Sequence, residues 1–323
     1  MNNLYDQELS GFQQRYGGGI DNTFPANEFI ENIIKRKTVR RFTDQKIDPA
    51  LVEKLFAAAQ SAPTSSMFQT WSAVVIESKE NREKIFFNSV RNRSIMGLAV
   101  DVLKDGKLIT IPASDSVNYN AVMECDLFVV WCVDLSRVNT ILNDPEVKTL
   151  YSEDKAMKSQ EAFCYSSYEI RSICDAVISA QTFCLSAESM GLGTMYCGSV
   201  KSIDLFDSLK LPKKVLPVFG ICVGYPKENL NFFPDWGKEN LGNKKINYPK
   251  PRLPQHLVVH KEKYNIADIT EIKKYNLLMT KFYEYCGLVK SMDWFERIIV
   301  RTQLHNASEF YMKLVNKYGF WFK

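Results

Sequence analysis

The amino-acid sequence predicts an α+β fold in which helices cover a mixed β-sheet. Residues 127–135 and 215–223 are almost continuously apolar, as is typical of buried strands, and residues 71–76 predict a further buried strand. Apolar residues recur at helical spacing over residues 170–187 and predict a helix of about five turns, with Gly191 at its C-cap. Helices and strands alternate irregularly and no segment repeats, which favours the α+β class.

The first quarter of the chain predicts an arm and two helices. Residues 1–24 are polar and glycine-rich, and are interpreted as a loose arm. Apolar residues at helical spacing predict a helix over residues 29–34, which leads into a basic stretch. A second helix is expected to begin with Asp48 as N-cap and Pro49 at its first position, and to stop before Pro63.

The remaining segments predict loops, one more strand and a helical tail. Residues 88–120 show little periodicity and are interpreted as a long loop or insertion, and a strand is predicted over residues 194–200. Amphipathic helices rich in aromatic residues are predicted over residues 275–285 and 294–318. The aromatic-rich faces of these helices need a groove to pack in, which either a partner subunit or the chain's own domain supplies.

The composition indicates a protein that neither binds nucleic acid nor spans a membrane. The formal net charge of +4 over 323 residues is small for a dedicated nucleic-acid binder. No window approaches the roughly 20 apolar residues of a membrane span, and the N-terminus lacks a signal pattern. None of the eight cysteines forms a C-x-x-C pair and there are only three histidines, so neither a metal site nor a disulfide framework is predicted. We therefore expect buried, reduced thiols and a cytoplasmic location.

Three short stretches carry cations or hydroxyl groups that suit an anionic ligand. They are KRKTVRRFTD at residues 35–44, PTSS at residues 63–66 and PKPRLP at residues 249–254. Prolines stiffen the third stretch, so its two cations lose little entropy when they bind a phosphate. Each stretch by itself is more often a solvated surface segment, but together they indicate one phosphorylated ligand. Neither a dinucleotide-binding turn nor a P-loop is present, since the GLG at residues 191–193 lies between a helix and a strand in the reverse order.

Four motifs, in this order, resemble the flavin-dependent nitroreductase family: RKTVRRFTD, APTSSMFQTW, AESMGLGTMYCGS and PKPRLP. The sequence is most similar to the branch of NADPH-preferring, oxygen-insensitive nitroreductases and flavin reductases, over residues 30–80 and 120–320. The resemblance implies a homodimer with FMN at the subunit interface. It also implies a central mixed, mostly antiparallel sheet flanked by helices, and a C-terminal extension that wraps the partner subunit.

The predicted organisation is an arm followed by one domain. The arm covers residues 1–24 and the FMN-binding domain residues 25–323. Within the domain we expect an insertion at residues 88–117, a loop at residues 226–249 and a C-terminal helical extension at residues 270–323.

The resemblance also assigns candidate FMN contacts. Arg36 would face the phosphate, Arg40 the N1/O2 edge of the flavin ring, and the backbone N–H of Gly198 the N5 atom. Asn118 would bond the pyrimidine edge, with Asn120 as the alternative. The complete set is Arg36, Lys37, Thr38, Arg40, Thr64, Ser65, Ser66, Asn118, Tyr196, Cys197, Gly198, Ser199, Lys250 and Arg252. In the family, the hydroxyl-bearing residues 64–66 contribute to the site of the other subunit.

The charge on Arg40 has a physical reason in this chemistry. Hydride arrival at N5 leaves negative charge near N1/O2, and a cation about 4 Å away contributes roughly 4 kcal/mol at an effective dielectric constant near 20. The flavin performs the reaction, so no catalytic side chain is predicted, and a structural position is expected for Cys197. Between the two assigned arginines we expect Val39 in the core, and we expect Arg41 to be solvated.

The predicted function is that of an FMN-dependent NAD(P)H oxidoreductase with ping-pong hydride transfer. Its acceptors would be nitro compounds, quinones or free flavin. The alternative is a flavin-storing or flavin-fragmenting protein of the same fold without nicotinamide turnover. The preference for NADPH or NADH and the physiological acceptor stay open. Met67 stands where the family often has Asn, so the substrate range is the property that transfers least.

Overall fold

The computed structural model describes residues 11–16, 25–87, 99–104, 107–112, 117–163, 166–198, 205–227, 249–285, 293–302, 312, 315–316 and 319–320. The chain divides into two compact units. Unit 1 comprises Met1–Thr38, Val102–Ile109 and Lys227–Leu304, and unit 2 comprises Val39–Asp101, Thr110–Pro226 and His305–Lys323. Within the described ranges, no helix combines the length and the apolar character that a membrane span requires.

The described helices and strands have the following bounds. The helices are α1 (Gly11–Tyr16), α2 (Glu28–Lys35), α3 (Pro49–Gln60), α4 (Lys79–Phe87), α5 (Val117–Glu124), α6 (Ser136–Asn143), α7 (Pro145–Tyr151), α8 (Glu153–Phe163), α9 (Ser166–Ser189), α10 (Leu205–Ser208), α11 (Ile269–Tyr285) and α12 (Trp294–Thr302). The strands are β1 (Trp71–Val75), β2 (Ala99–Lys104), β3 (Lys107–Pro112), β4 (Leu127–Asp134), β5 (Gly193–Cys197) and β6 (Val215–Gly224).

Unit 2 is built on a four-stranded sheet with the strand order β1-β4-β6-β5. The described pairings within it are antiparallel, in agreement with the predicted antiparallel majority. All eight residues of β4 are buried, because β4 lies between two strands and under helices, so the strongest predicted strand is confirmed. Strand β1 is also confirmed, but it is only half-buried and Val75 is exposed, since β1 lies at the edge of the described sheet.

Two helices pack on this sheet and close the core of unit 2. The ring centroid of Phe183, on α9, lies 5.2 Å from that of Trp131 on β4 and 5.1 Å from that of Phe56 on α3. The indole N–H of Trp131 donates to Ser179 Oγ on α9 at 3.0 Å, which satisfies a buried polar group inside the core. The start of α3 is confirmed, because the Asp48 carboxylate accepts the N–H of Ala50 at 2.8 Å.

Helix α9 is the longest described helix, with 24 residues. At 1.5 Å per residue it is about 36 Å long, so it exceeds the predicted five turns. Its first turn carries Ser166, Ser167 and Glu169, which gave no apolar periodicity. Its end is confirmed, because Gly191 follows it with a φ of 78°, a left-handed conformation that favours glycine.

The interpretation of residues 88–120 as a loop is wrong for the part that the structure describes. Strands β2 and β3 form a two-stranded sheet there, and α5 begins at Val117. The sequence between the two strands is Asp105-Gly106, a strong hairpin signal that the periodicity argument did not weigh.

In unit 1, the two predicted tail helices are present. The first, α11, begins six residues earlier than predicted, and the second is described as far as Thr302. Tyr275 and Trp294 form a T-shaped ring contact at 4.9 Å, and the side chain of Asn276 bonds both Asp293 and the N–H of Phe295. Residues 303–311 lie outside the described part of the chain.

The described end of the tail belongs to unit 2. Val315 and Phe320 are fully buried in its core cluster, and Lys214 Nζ donates to the carbonyl of Gly319 at 2.5 Å. These residues therefore pack on their own chain, which is one of the two alternatives that the sequence left open.

Candidate functional site

The basic stretch enters unit 2 at Val39, which is anchored on strand β5. The Val39 N–H donates to the carbonyl of Thr194 at 2.9 Å, and the side chain is buried as predicted. A Cβ on Gly193 would lie 2.6–2.7 Å from the Val39 side chain, so only glycine permits this approach. Three residues further on, Phe42 is fully buried, and the backbone of residues 39–42 is fixed at both ends.

Arg41 is paired rather than solvated, so the prediction for this residue is wrong. Its Nε bonds both carboxylate oxygens of Glu124 on α5, at 2.9 and 3.0 Å. The N–H of Phe42 donates to the same carboxylate at 3.2 Å. Glu124 lies 83 positions away in the sequence, so the basic pattern by itself gave no sign of this acceptor.

Arg40 lies between Val39 and Arg41, both of which are held in place by hydrogen bonds, and it is partly buried. Burial lowers the pKa of its guanidinium from the ordinary value. Among the described residues, Arg40 has neither an ion-pair partner nor a hydrogen-bond acceptor. A desolvated cation in such surroundings attracts an anionic ligand, so Arg40 fits the predicted contact with the N1/O2 edge of a flavin.

Unit 1 contains the two segments that were predicted to bind phosphate. Arg36, Lys37 and Lys250 are partly buried, whereas Arg252 is exposed. Burial lowers the pKa of Lys37. The Tyr275 hydroxyl donates to the carbonyl of Pro251 at 3.2 Å, which attaches the second segment to α11.

Arg15 joins these two segments, and sequence analysis missed it. It is a buried residue of α1, within the predicted loose arm, and its guanidinium donates to the carbonyls of Ile34, Arg36 and Lys250. The arm is therefore attached to unit 1 at this position. The sequence offered little signal, because one arginine in a polar, glycine-rich segment is usually solvated.

The hydroxyl-bearing segment lies in unit 2 and is held by a carboxylate. Asp175, buried on α9, accepts the N–H of Ser65 at 2.9 Å and the hydroxyl of Thr70 at 3.0 Å. The hydroxyl of Thr64 accepts the N–H of Gln69 at 3.3 Å. The available signal for Asp175 was a single acidic residue within an otherwise apolar helical pattern, and sequence analysis did not use it.

The turn that follows Ser65 is strained. Ser66, Met67 and Gln69 have φ values of 50°, 56° and 50°, in the left-handed region that residues other than glycine rarely adopt. Each such residue costs roughly 1–2 kcal/mol, so the contacts of Asp175 hold a turn that would otherwise relax. Met67, which stands where the family often has Asn, is 80% exposed.

At the end of β5, the structure leaves mainly backbone available to a ligand. The Tyr196 hydroxyl donates to Gln181 Oε1 at 3.2 Å, and its ring packs edge-on against Phe219. The thiol of Cys197 is buried. Gly198 is exposed, and a Cβ at this position would meet no atom within 4 Å. This arrangement fits a backbone contact at Gly198, whereas Ser199 lies outside the described residues.

The two candidates for the pyrimidine edge lie on the same helix, α5. Asn118 is exposed and Asn120 is partly buried. Residues two positions apart on a helix point about 160° away from each other, so a ligand on one face of α5 is within reach of only one of them.

A cavity of about 1010 Å³ also lies within unit 2. It is bordered by the strained turn at Met67–Gln69, by Trp71 on β1 and by Arg137, whose guanidinium bonds Asp134 and the carbonyls of Gln69 and Trp71. The predicted site residues that the structure describes do not line this cavity.

The described thiols are free, and five of the six are buried. Cys174 is exposed, so the expectation of buried thiols is wrong at this position, and Cys164 and Cys286 lie outside the described residues. Burial, with a smaller contribution from Asp134, raises the pKa of Cys132 to about 12.

Comparisons with known proteins give a consistent result. The model of the Nitroreductase family matches residues 33–225, more than half of the chain, and that of the Nitroreductase family, C-terminal domain, matches residues 250–323. An oxygen-insensitive NADPH nitroreductase of Salmonella typhimurium is 26% identical over 292 residues, which cover 90% of this chain and 97% of that protein. An FMN reductase (NADPH) of Bacillus subtilis is 29% identical over 242 residues, which cover 74% of this chain and 76% of that protein.

Solved structures show the same architecture. The crystal structure of nitroreductase A from Vibrio parahaemolyticus matches with a TM-score of 0.65 and 24% identity, and the match covers 91% of this chain and 98% of that chain. At this level of identity, the likeness establishes the fold.

Proposed function

This chain belongs to the nitroreductase family, and on that premise we propose that it is an FMN-dependent NAD(P)H oxidoreductase. The chemistry that FMN supplies when bound is hydride transfer at its N5 atom, from a nicotinamide to nitro compounds, quinones or free flavin. The protein binds and orients the reactants and uses no catalytic side chain.

The observation that carries the proposal is the family match over residues 33–225 and 250–323, because these two ranges contain every candidate FMN contact. The relatives are named as an NADPH nitroreductase and an NADPH-dependent FMN reductase, which supports FMN as cofactor and NAD(P)H as donor. Arg40 adds a physical argument, since it is a partly buried cation without a described protein acceptor.

We assign the contacts separately in the two units. In unit 1, the phosphate contacts are Arg36, Lys37, Thr38, Lys250 and Arg252. In unit 2, the contacts with the ring system are Arg40, Asn118 and the backbone of residues 196–199. The segment Thr64–Ser66 contributes to the site of a second copy of the chain.

A homodimer is part of the proposal. On α9, Ile170, Val177 and Ile178 are 55%, 43% and 41% exposed, which leaves an apolar surface in water on the longest described helix. A second copy of the chain would cover this surface. The cytoplasmic location rests on the thiol-rich sequence and stays a prediction.

Anaerobic absorption spectroscopy of the purified protein tests the function. The protein is expected to take up FMN, and NADPH or NADH is expected to bleach the yellow absorption rapidly. A protein that retains FMN but stays yellow with both nicotinamides would instead be the flavin-storing or flavin-fragmenting alternative. A protein that takes up no FMN from an excess would overturn both interpretations. Rates measured with each nicotinamide at equal concentration determine the donor preference.

A further inference from the structure

Arg15, on α1, connects two other segments of unit 1 that are far apart in the sequence, residues 34–36 and residues 250–252. Its guanidinium donates to the carbonyls of Ile34 and Arg36, at the end of α2, and to the carbonyl of Lys250 at 3.2 Å. Its own carbonyl accepts the N–H of Arg252 at 2.9 Å. One buried residue therefore contacts the backbone of both segments that carry the assigned phosphate contacts.

The side chain of arginine suits this arrangement. A guanidinium offers five N–H donors in a planar fork, so it can bond several carbonyls at once, which a lysine ammonium on a flexible stem cannot do in the same geometry. The last carbonyls of a helix lack partners within the helix and lie at the negative end of its dipole, so a cation at the end of α2 is favourable. The Nη1 donor, which bonds the carbonyl of Lys250, then fixes residue 250 relative to residue 36.

We propose that Arg15 is a positioning residue for the FMN phosphate, which holds the Arg36 segment and the Lys250–Arg252 segment at a fixed separation. This inference rests on the proposed function. Without the hydrogen bonds of Arg15, the two segments would have to become ordered when the phosphate binds, and that loss of backbone freedom would weaken binding. The effect should be larger for ligands that carry the phosphate, because Arg15 bonds the carbonyls of Arg36 and Lys250, in the two segments assigned to that end of the cofactor.

The comparison of FMN with riboflavin tests this role, since the two ligands differ only in the phosphate. Equilibrium dialysis gives the Kd of each ligand for the parent protein, Arg15→Gln and Arg15→Lys. Lys35→Gln is the matched control: it removes one positive charge next to Arg36, but its side chain is 61% exposed and paired only with Glu31 in the described part of the chain.

Arg15→Gln is expected to weaken FMN binding by about 10- to 100-fold, the range found when an outer-shell partner of a bound metal is removed. Its Kd for riboflavin should stay within about twofold of the parent value, as should both constants for Lys35→Gln. Arg15→Lys keeps the charge but loses the fork, and we expect it to weaken FMN binding by about fivefold or more.

Two results would overturn the role of Arg15. In the first, both Arg15 variants bind FMN as tightly as the parent protein does. In the second, Arg15→Gln loses FMN and riboflavin to the same extent, which would show a general structural role. A parent protein that takes up no FMN would refute the proposed function itself, whereas tight binding by the parent and by both variants would refute only this inference.

Discussion

Replacement of Asp175 by alanine is expected to lower the free energy of unfolding by about 2–4 kcal/mol. The carboxylate accepts two hydrogen bonds, from Ser65 N–H at 2.9 Å and from the Thr70 hydroxyl at 3.0 Å, and hydrogen bonds to a charged group contribute roughly 1.5–3 kcal/mol each. The cost of burying the carboxylate reduces their sum, since Asp175 is only 3% exposed. Thr70 is 2% exposed, so its hydroxyl would be left buried without this acceptor.

Urea denaturation followed by circular dichroism measures this change. Asp175→Asn keeps one acceptor oxygen and should cost less, about 1–2 kcal/mol. The matched control is Asp144→Ala, which also removes a carboxylate that accepts two backbone N–H groups, those of Glu146 and Val147 at 2.9 and 3.0 Å. Because Asp144 is a helix N-cap, its replacement by alanine should lower the free energy of unfolding by about 1 kcal/mol. If Asp175→Ala costs no more than Asp144→Ala, the argument from burial is refuted.

Three further predictions concern the candidate site and the thiols. Gly198→Ala should change the free energy of unfolding by less than about 1 kcal/mol, because the added Cβ meets no described protein atom within 4 Å. The same substitution should weaken FMN binding in equilibrium dialysis. Unchanged binding would contradict the backbone contact at Gly198. Arg40→Gln should make the two-electron midpoint potential of bound FMN more negative by about 40 mV, if half of the 4 kcal/mol Coulomb energy acts, and a redox titration without a shift excludes the contact. Iodoacetamide should spare the buried Cys132 in the folded protein and label it after unfolding in urea, as peptide mass spectrometry would show. Because the pKa of Cys132 is raised from 9.0 to about 12, its contribution to stability is complete below pH 9.0 and is lost as the pH rises towards about 12.

Patterns that depend on neighbours in the sequence predicted much of the fold. The continuous apolar run of β4 and the apolar periodicity of α9 were sufficient to predict these two elements. A strand buried on both faces is apolar at every position, and a helix buried along one face is apolar at helical spacing. The Asp48-Pro49 start of α3 is likewise a local signal, and the structure confirms it. The pairing of β2 with β3 was equally predictable, because the sequence between them, Asp105-Gly106, is typical of hairpins.

Contacts between distant segments could not be predicted in the same way. Arg41 finds Glu124 at a separation of 83 positions, and Arg15 finds the carbonyl of Lys250 at 235 positions. Every residue has a carbonyl, so the sequence does not indicate which one a buried arginine will bond. The candidate FMN residues followed from the family motifs. Arg15 and Asp175, which together contact the three segments 35–44, 63–66 and 249–254, became visible only in the structure.

The polar contacts of α9 limit how its length can vary. Asp175 bonds the hydroxyl-bearing segment, Ser179 accepts the indole N–H of Trp131, and Gln181 accepts the hydroxyl of Tyr196 on β5. A helix turns by about 100° per residue, so inserting or deleting one residue between positions 175 and 181 would rotate one of these partners out of reach. Related chains should therefore keep this spacing unchanged and accommodate insertions before residue 166 or after Gly191.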